Sequence, residues 1–352
     1  MLEVLAVAPV FQTAILNWYQ AFGRKDLPWQ QPQTPYRVWI SEIMLQQTQV
    51  QTVIGFFERF MQSFPSIKHL SQATLDQVLQ HWAGLGYYAR ARNLHKTAQT
   101  IQINSGDSLD LPRTLKELVA LPGIGPSTAG AILSLGHGIS AAILDGNVKR
   151  VLARYFNLSI PFDTHAGQKI FWEYSTQLTP KIGSKARHYN QAMMDLGAMV
   201  CHVKNPNCTA CPLAKLNNHL QCQSFKLNNW SEFPVKKKNI IKKREFWELH
   251  LHVKKGQLLL EKRLSPGIWG SLWCPPIQIL KSQQLSQTKH QPNDKNMTII
   301  PHELTHKSLI LIPVLKPPIR PRSSNQAWFD IQALKQKTIG LPRPIQKLVD
   351  TL

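Results

Sequence analysis

Cys201, Cys208, Cys211 and Cys222 form the run C-x6-C-x2-C-x10-C, while a fifth cysteine, Cys274, stands alone in an apolar stretch. Four thiolates in one short, irregular segment can close around zinc or around a [4Fe-4S] cluster. Spacing alone leans only slightly towards iron and sulfur. Residues 1–10 carry no basic n-region, so a secretory signal is not expected. A reducing compartment follows, and with it free thiols rather than disulfides. Cys274 reads as a core residue.

Glu42 lies in Trp39–Ile40–Ser41–Glu42–Ile43–Met44–Leu45. It could be an ordinary first-turn glutamate, but its apolar neighbours predict partial desolvation. Desolvation favours the neutral acid and lets a carboxyl carry a proton near neutrality. Asp145 lies in Ile143–Leu144–Asp145–Gly146–Asn147–Val148. Asp-Gly is a turn signal, and Asp145 reads first as the cap of a helix starting near Val148.

Leu121–Pro122–Gly123–Ile124–Gly125–Pro126–Ser127 is the sharpest local motif. A helix ends, a Gly-x-Gly hairpin follows, and a second helix begins at Ser127. The glycines let backbone N–H groups approach a ligand closely. The new helix N-terminus adds donors and positive dipole. That geometry suits a DNA phosphate; an αα-hairpin turn without a ligand is the alternative. The upstream helix over 114–120 completes a helix-hairpin-helix unit.

These motifs need a scaffold, and the composition bounds it. A chain of 352 residues predicts about two domains. Hydrophobic residues make up 43%, enough for packed cores. No apolar run approaches the roughly 20 residues of a membrane span. Lys+Arg is 41 against 20 Asp+Glu, a formal charge of +21, which favours a polyanionic partner. A membrane protein, a fibre and a small disulfide scaffold are excluded.

Apolar residues recur at three-to-four spacing over 11–22, 38–64, 75–82, 89–103, 114–120, 127–135 and 189–199, which predicts helices. From Phe246 the texture changes. Residues 246–253, 257–262 and 309–314 read as strands, and 344–352 as a short final helix. Between the textures, 226–244 holds Lys236–Lys237–Lys238 and Lys242–Lys243–Arg244 and reads as an exposed basic linker. The polar, Gln-rich stretch 282–297 reads as a mobile loop.

Leu121 to Gly130, then Asp145, then the cysteine run, in that order, resembles the helix-hairpin-helix DNA glycosylase superfamily with an iron–sulfur loop. Further stretches resemble its MutY family of adenine glycosylases. They are Arg24–Lys25 through Leu27–Pro28–Trp29, Met44–Leu45–Gln46–Gln47–Thr48–Gln49–Val50, Gly84–Leu85–Gly86–Tyr87–Tyr88–Ala89–Arg90–Ala91–Arg92, Ile143 to Arg150, and Asn190–Gln191–Ala192–Met193–Met194–Asp195–Leu196–Gly197–Ala198. The likeness spans nearly the whole chain. It implies a multidomain protein: an all-α helix-hairpin-helix glycosylase domain with its iron–sulfur loop over 1–225, the basic linker 226–244, and an α+β Nudix-like domain over 245–352.

The resemblance implies removal of adenine mispaired with 8-oxoguanine or guanine in double-stranded DNA, by base flipping and acid-assisted hydrolysis. Glu42 corresponds to the acid that protonates adenine at N7. Asp145 corresponds to the carboxylate that stabilises positive charge on the sugar. The two need different protonation states; backbone N–H bonds at a helix cap would keep Asp145 ionised. Asn147 corresponds to a residue orienting Asp145 or the nucleophile. Gln46, Gln47 and Thr48 correspond to the wedge into the vacated stack, and Tyr87 to a residue stacking near the opposite purine. Arg24, Trp29 and Gln191 match positions lining the adenine pocket; Gly123 and Gly125 match the hairpin. Ser127 stands where bifunctional relatives carry a lysine. A hydroxyl forms no Schiff base, so base removal without efficient strand cleavage is expected. Lys149 lies near enough in sequence to leave weak lyase activity open.

Pro266–Gly267–Ile268–Trp269–Gly270–Ser271–Leu272–Trp273 resembles a Nudix-like domain, yet no Glu-rich run for magnesium is present. Recognition of 8-oxoguanine is expected there instead of hydrolysis. Leu304, Thr305 and His306 match a Phe-Ser-His recognition loop, with Leu for Phe and Thr for Ser. A second departure is the last cysteine gap, ten residues where the familiar pattern has five. Doubling a loop adds only about 0.6 kcal/mol of closure entropy. A [4Fe-4S] cluster on Cys201, Cys208, Cys211 and Cys222 is therefore expected, ordering a loop that carries Lys204 and Lys215 near phosphate. A monomer in a bacterial cytoplasm, drawn to the nucleoid by DNA, completes the expectation. Two alternatives stay open: a bifunctional pyrimidine-lesion glycosylase, and a DNA-binding protein without catalysis.

Overall fold

The computed structural model describes residues 4–105, 109–217, 220–237, 242–265, 267–280, 299–304, 307–336 and 339–352. Pro266, Lys238 and the stretch 282–297 lie outside the described residues. The chain forms two compact units. One gathers Met1–Gln72 with Lys96–Lys238; the other gathers Ala73–His95 with Asn239–Leu352.

The helices run α1 (Val4–Phe22), α2 (Pro35–Leu45), α3 (Val50–Ser63), α4 (Ile67–Gln72), α5 (Leu75–His81), α6 (Ala89–Ser105), α7 (Leu115–Val119), α8 (Pro126–Ala131), α9 (Gly146–Tyr155), α10 (His165–Leu178), α11 (Gly183–Met199) and α12 (Gln223–Lys226). The apolar stripes of α1, α9, α10 and α11 build the first unit's core. In α1, Val4, Val7, Ala8, Phe11, Ile15 and Trp18 are buried, one face of a helix. In α9 the stripe is Val148, Val151, Leu152 and Tyr155. The Phe11 and Tyr155 rings meet edge to face with centroids 4.7 Å apart. Burying such a ring contributes about 1.5–3 kcal/mol. Helix α11 carries Tyr189, Asn190, Gln191, Ala192, Met193 and Asp195 into the interior, polar residues included.

Three features depart from the helix pattern read in the sequence. The run 38–64 is broken between Leu45 and Val50, where Gln47 takes a left-handed φ of 58°. The helix expected over 127–135 passes after Ala131 into a wider π-helical turn over Ile132–His137. There Asn190 Nδ2 donates to Ser134 Oγ at 2.9 Å. Helix α10 was not expected: its buried residues, Gly167, Phe171, Ser175 and Leu178, form a narrow stripe with only two large apolar members.

The second unit is built on a mixed sheet of β1 (Lys243–Lys254), β2 (Gln257–Lys262), β3 (Trp273–Cys274), β4 (Ile277–Leu280), β5 (Ile300–Glu303), β6 (Lys307–Lys316) and β7 (Gln326–Asp330). Strand order is β3-β2-β1-β6-β5, with β4 also on β1 and β7 on β2. β1 and β6 run parallel, Trp247 opposite Leu311 and Leu249 opposite Pro313. Trp247, Leu249 and Leu251 alternate onto one buried face. Helices α13 (Ile331–Lys335) and α14 (Arg343–Thr351) supply Leu334, Ile345, Leu348 and Val349 to the same core. Cys274 is buried there, as expected. Residues 73–95 join this unit through specific bonds. Tyr88 Oη donates to Leu341 O at 2.8 Å, Arg92 Nη1 to Gly270 O at 2.7 Å, and Lys262 pairs with Asp76 at 2.7 Å. Helices on one part of the chain and an α+β sheet domain on the other agree with the fold class read from the sequence.

Candidate active site

Glu42 and Asp145 line one cleft of about 1020 Å³ in the first unit. Helix α2 presents Glu42. Its start is set by Thr34, whose side chain accepts from Arg37 N at 3.3 Å, with Pro35 in the first turn. Trp39, Ile40, Ile43 and Met44 bury the rest of the helix, so Glu42 is aimed at the cleft from an apolar wall. Burial pushes its carboxyl up to about 8, and the charge of Asp145 adds to the shift. At neutral pH Glu42 therefore holds a proton.

Asp145 caps α9, as its turn sequence predicts. Its Oδ1 accepts from Val148 N at 2.7 Å and its Oδ2 from Asn147 Nδ2 at 2.9 Å. These bonds and the charge of Arg150 favour the anion, but burial is the larger effect and holds the carboxyl above its ordinary range. The cap thus favours the ionised form, as expected, while burial works against it. No protein donor bonds Glu42 among the described residues, whereas Asp145 has two donors. When the pair shares one proton, Glu42 carries it and Asp145 carries the charge.

Asn147 is itself held. Its Oδ1 accepts from Arg150 Nη2 at 2.9 Å, and Arg150 also donates to Gly197 O at 2.6 Å and to Cys201 O at 2.7 Å. A Cβ at Gly197 would stand 2.5 Å from the Asn147 Cβ, so only glycine lets α11 approach the Asp145 turn this closely. Ser127, in the first turn of α8, accepts through Oγ from Leu144 N at 3.2 Å and pins the segment leading to Asp145. In the preceding hairpin Gly123 has φ 78°, Ile124 is buried, and Gly123 and Gly125 are exposed.

Arg24, Trp29, Gln46, Gln47, Thr48, Ser127, Asn147 and Gln191 line the same cleft, so most of the residues read from the sequence converge there. Lys149 is not among the lining residues; its ammonium packs 5.7 Å over the Phe162 ring. Tyr87 and Leu304 belong to the second unit. Tyr87 is 50% exposed with φ 51°, and Leu304 packs partly buried on the second unit's core. Thr305 and His306 lie outside the described residues. One residue escaped the sequence reading: Asp195, on α11, takes Arg24 Nη2 at 2.5 Å. Its position four residues after Gln191 on a buried face was the available signal.

The four clustered cysteines line a second, small pocket beside α9, and all are free. Arg154 is buried there, donating to Cys201 Sγ at 3.3 Å and to His202 O at 2.7 Å. The lengthened loop is tied back: Cys222 N donates to Leu213 O at 2.9 Å, and Tyr155 Oη to Leu220 O at 2.6 Å. Burial pushes the thiols of Cys211 and Cys222 up to about 12, so a bound metal must displace their protons. Among the described residues no three His, Cys, Asp or Glu side chains are close enough together to hold a single metal ion. Four free thiols around one pocket are the donor set that a thiolate-held metal centre uses. Lys204 and Lys215 are exposed on this loop.

The profile of the HhH-GPD superfamily of base excision DNA repair proteins matches residues 40–174, and that of the NUDIX domain matches 249–351. The adenine DNA glycosylase of Buchnera aphidicola subsp. Baizongia pistaciae (strain Bp) is 41% identical over 350 residues, 97% of this chain and 96% of its own length. The human adenine DNA glycosylase is 39% identical over 222 residues, 60% of this chain and 40% of its own. Among solved structures, a thermostable thymine-DNA glycosylase aligns at TM-score 0.55 and 28% identity, covering 63% of this chain and 98% of that one. An endonuclease III–DNA complex aligns at TM-score 0.52 and 21% identity, covering 65% and 99%, and so shares the fold of the helical unit.

Proposed function

The chain belongs to the adenine DNA glycosylase family, within the HhH-GPD base excision repair proteins, and from that premise we propose that it excises adenine mispaired with 8-oxoguanine or guanine without efficient strand cleavage. It is a DNA glycosylase, a hydrolase of N-glycosyl bonds. The observation that carries the mechanism is the pair Glu42 and Asp145, two carboxyls in one cleft with opposite surroundings.

Adenine leaves poorly as an anion and well once protonated. The target nucleotide leaves the stack and enters the cleft. Glu42 gives its proton to adenine N7, and the bond from N9 to C1′ breaks. Positive charge grows on the sugar, and the Asp145 carboxylate, held by Val148 N and Asn147 Nδ2, stabilises it. Water adds to C1′ and gives its proton to the Glu42 carboxylate, which restores the acid and leaves an abasic site. Ser127 offers no amine at this position, so no Schiff base forms and the strand stays whole.

Gln46, Gln47 and Thr48 fill the vacated stack. The left-handed Gln47 supports this role, since a non-glycine residue there costs about 1–2 kcal/mol that a functional loop tolerates. The exposed hairpin at Gly123 and Gly125 takes a phosphate, and Tyr87 stacks near the opposite purine. In sequence the glycosylase region runs over 1–225, with 73–95 attached to the second unit, and the basic linker runs over 226–244 up to the start of β1. The domain 245–352 reads 8-oxoguanine through Leu304, Thr305 and His306. Cys201, Cys208, Cys211 and Cys222 hold a [4Fe-4S] cluster, which when bound cross-links the loop that presents Lys204 and Lys215. No described helix is long and apolar enough to cross a membrane. We place the protein in a bacterial cytoplasm as a monomer on DNA.

Single-turnover excision tests this on duplexes with adenine opposite 8-oxoguanine, guanine or cytosine, each with and without later alkali. The expected result is release opposite 8-oxoguanine and guanine, with breaks only after alkali. Breaks without alkali would support a bifunctional enzyme, and tight binding without release a non-catalytic protein.

A further inference from the structure

Asp195 is 0% exposed, so it touches neither solvent nor a bound base. A carboxylate buried this way must be fully partnered. Its Oδ2 accepts from the backbone N of Arg24 at 2.8 Å. Its Oδ1 accepts from Arg24 Nε at 2.9 Å, Arg24 Nη2 at 2.5 Å and Gln191 Nε2 at 3.1 Å. Both donor side chains line the cleft that holds Glu42 and Asp145.

The chemistry of these bonds fixes a polarity. A carboxylate only accepts, so Gln191 must turn its NH₂ to Asp195 and leave its carbonyl oxygen over. That Oε1 has no protein donor among the described residues. Arg24 spends Nε and one Nη2 hydrogen on Asp195. Its Nη1 has no protein acceptor among the described residues. The cleft wall therefore offers one acceptor beside one cationic donor. Adenine presents the complement, an N6 amino donor beside ring-nitrogen acceptors. Hypoxanthine inverts its Watson–Crick edge, with a carbonyl at C6 and a hydrogen on N1.

Resting on the glycosylase reading above, we propose that Asp195 is the positioning residue that sets base specificity, holding Gln191 as an acceptor and Arg24 as a donor so that the cleft takes adenine and rejects hypoxanthine. A site committed to hydrogen-bonding one pattern rejects the inverted one because its own groups are left unpaired. With asparagine at 195, one atom of the side chain donates, and Gln191 is free to present either end.

The test compares single-turnover excision of adenine and of hypoxanthine, each opposite 8-oxoguanine. The proteins are wild type, Asp195→Asn, Gln191→Ala and the double variant. The adenine-to-hypoxanthine rate ratio is expected to fall about tenfold in each single variant. In the double variant it falls no further than in the weaker single, because both act through one contact. Equal losses for both bases in Asp195→Asn, with the ratio unchanged, would overturn the proposal and leave Asp195 a mere staple. If Asp195→Asn does not fold, an unchanged ratio in Gln191→Ala overturns it instead. Wild-type protein that excises neither base would defeat the glycosylase reading, an outcome separate from both.

Discussion

Asn147 Nδ2 stands 2.9 Å from Asp145 Oδ2, and the same Asn147 receives Arg150 Nη2 on its other end. The amide is therefore gripped from both sides, and the carboxylate beside it has one fixed direction. A fixed anion facing a forming cation stabilises it with no reorganisation at the moment of reaction. Glu42, across the same cleft, has no such grip, and that asymmetry assigns the proton.

Glu42→Gln is expected to lower single-turnover adenine excision by about two to four orders of magnitude, since an amide cannot donate a proton to N7. The pH profile provides a second check. The acid must be protonated, and burial lifts it to about 8. Excision should fall about tenfold per pH unit above that point in wild type. On the acid side, loss sets in above the ordinary aspartate range, because Asp145 is shifted up as well.

Stability should respond to the same group over a lower pH range. A carboxyl whose folded value is raised binds protons more tightly when folded. Its contribution is fully present below the unfolded value and is lost as pH rises towards about 8. Glu42→Gln removes that penalty. Thermal unfolding should thus show the variant gaining on wild type between pH 5 and pH 8; a pH-independent difference would argue against a buried acid.

Asp145→Asn should separate fold from chemistry. Asparagine also caps helices, so α9 and the melting temperature should be little changed. The charge facing the sugar is gone, and excision should drop by about two to three orders of magnitude. Unfolding of the variant, seen by circular dichroism, would show the cap to matter more than expected.

Ser127→Lys places an amine at the cleft wall where the hydroxyl now accepts from Leu144 N. Strand breaks without alkali, and a borohydride-trapped adduct, are the expected outcome. Excision should slow as well, because the segment ahead of Asp145 loses its pin.

The groups proposed to carry the chemistry were legible where their signals are local. Glu42 shows itself through its apolar neighbours, Asp145 through its turn, the hairpin through Gly123 and the pocket of thiols through spacing. What escaped is non-local. Arg24 and Asp195 are separated by 171 positions, and no periodicity links them. The attachment of 73–95 to the second unit rests on Tyr88 reaching Leu341 and Arg92 reaching Gly270, again far apart in the chain. Helix α10 was missed because glycine and serine occupy half of its buried stripe. The opposing effect of burial on Asp145 was not legible, because a cap is visible in sequence and the depth of burial is not.

The longer cysteine loop gives the last prediction. Its extra residues do not hang free at the Cys222 end: Leu213 O holds Cys222 N, and Leu213, Leu216 and Leu220 pack against the first unit's core. Anchoring of this kind offsets the added closure entropy, so a [4Fe-4S] cluster should load despite the insertion. Purified protein should be brown and hold about four irons per chain. Cys222→Ser should lose the colour and the iron. Arg150→Leu should weaken cluster retention and excision together, because Arg150 bonds Cys201 O and Asn147 at once. Leaving those buried carbonyls unpaired should also cost about 1–3 kcal/mol in chemical denaturation. Stoichiometric zinc with no iron would reject the cluster, and full excision by Arg150→Leu would show that the cysteine loop and Asp145 act independently.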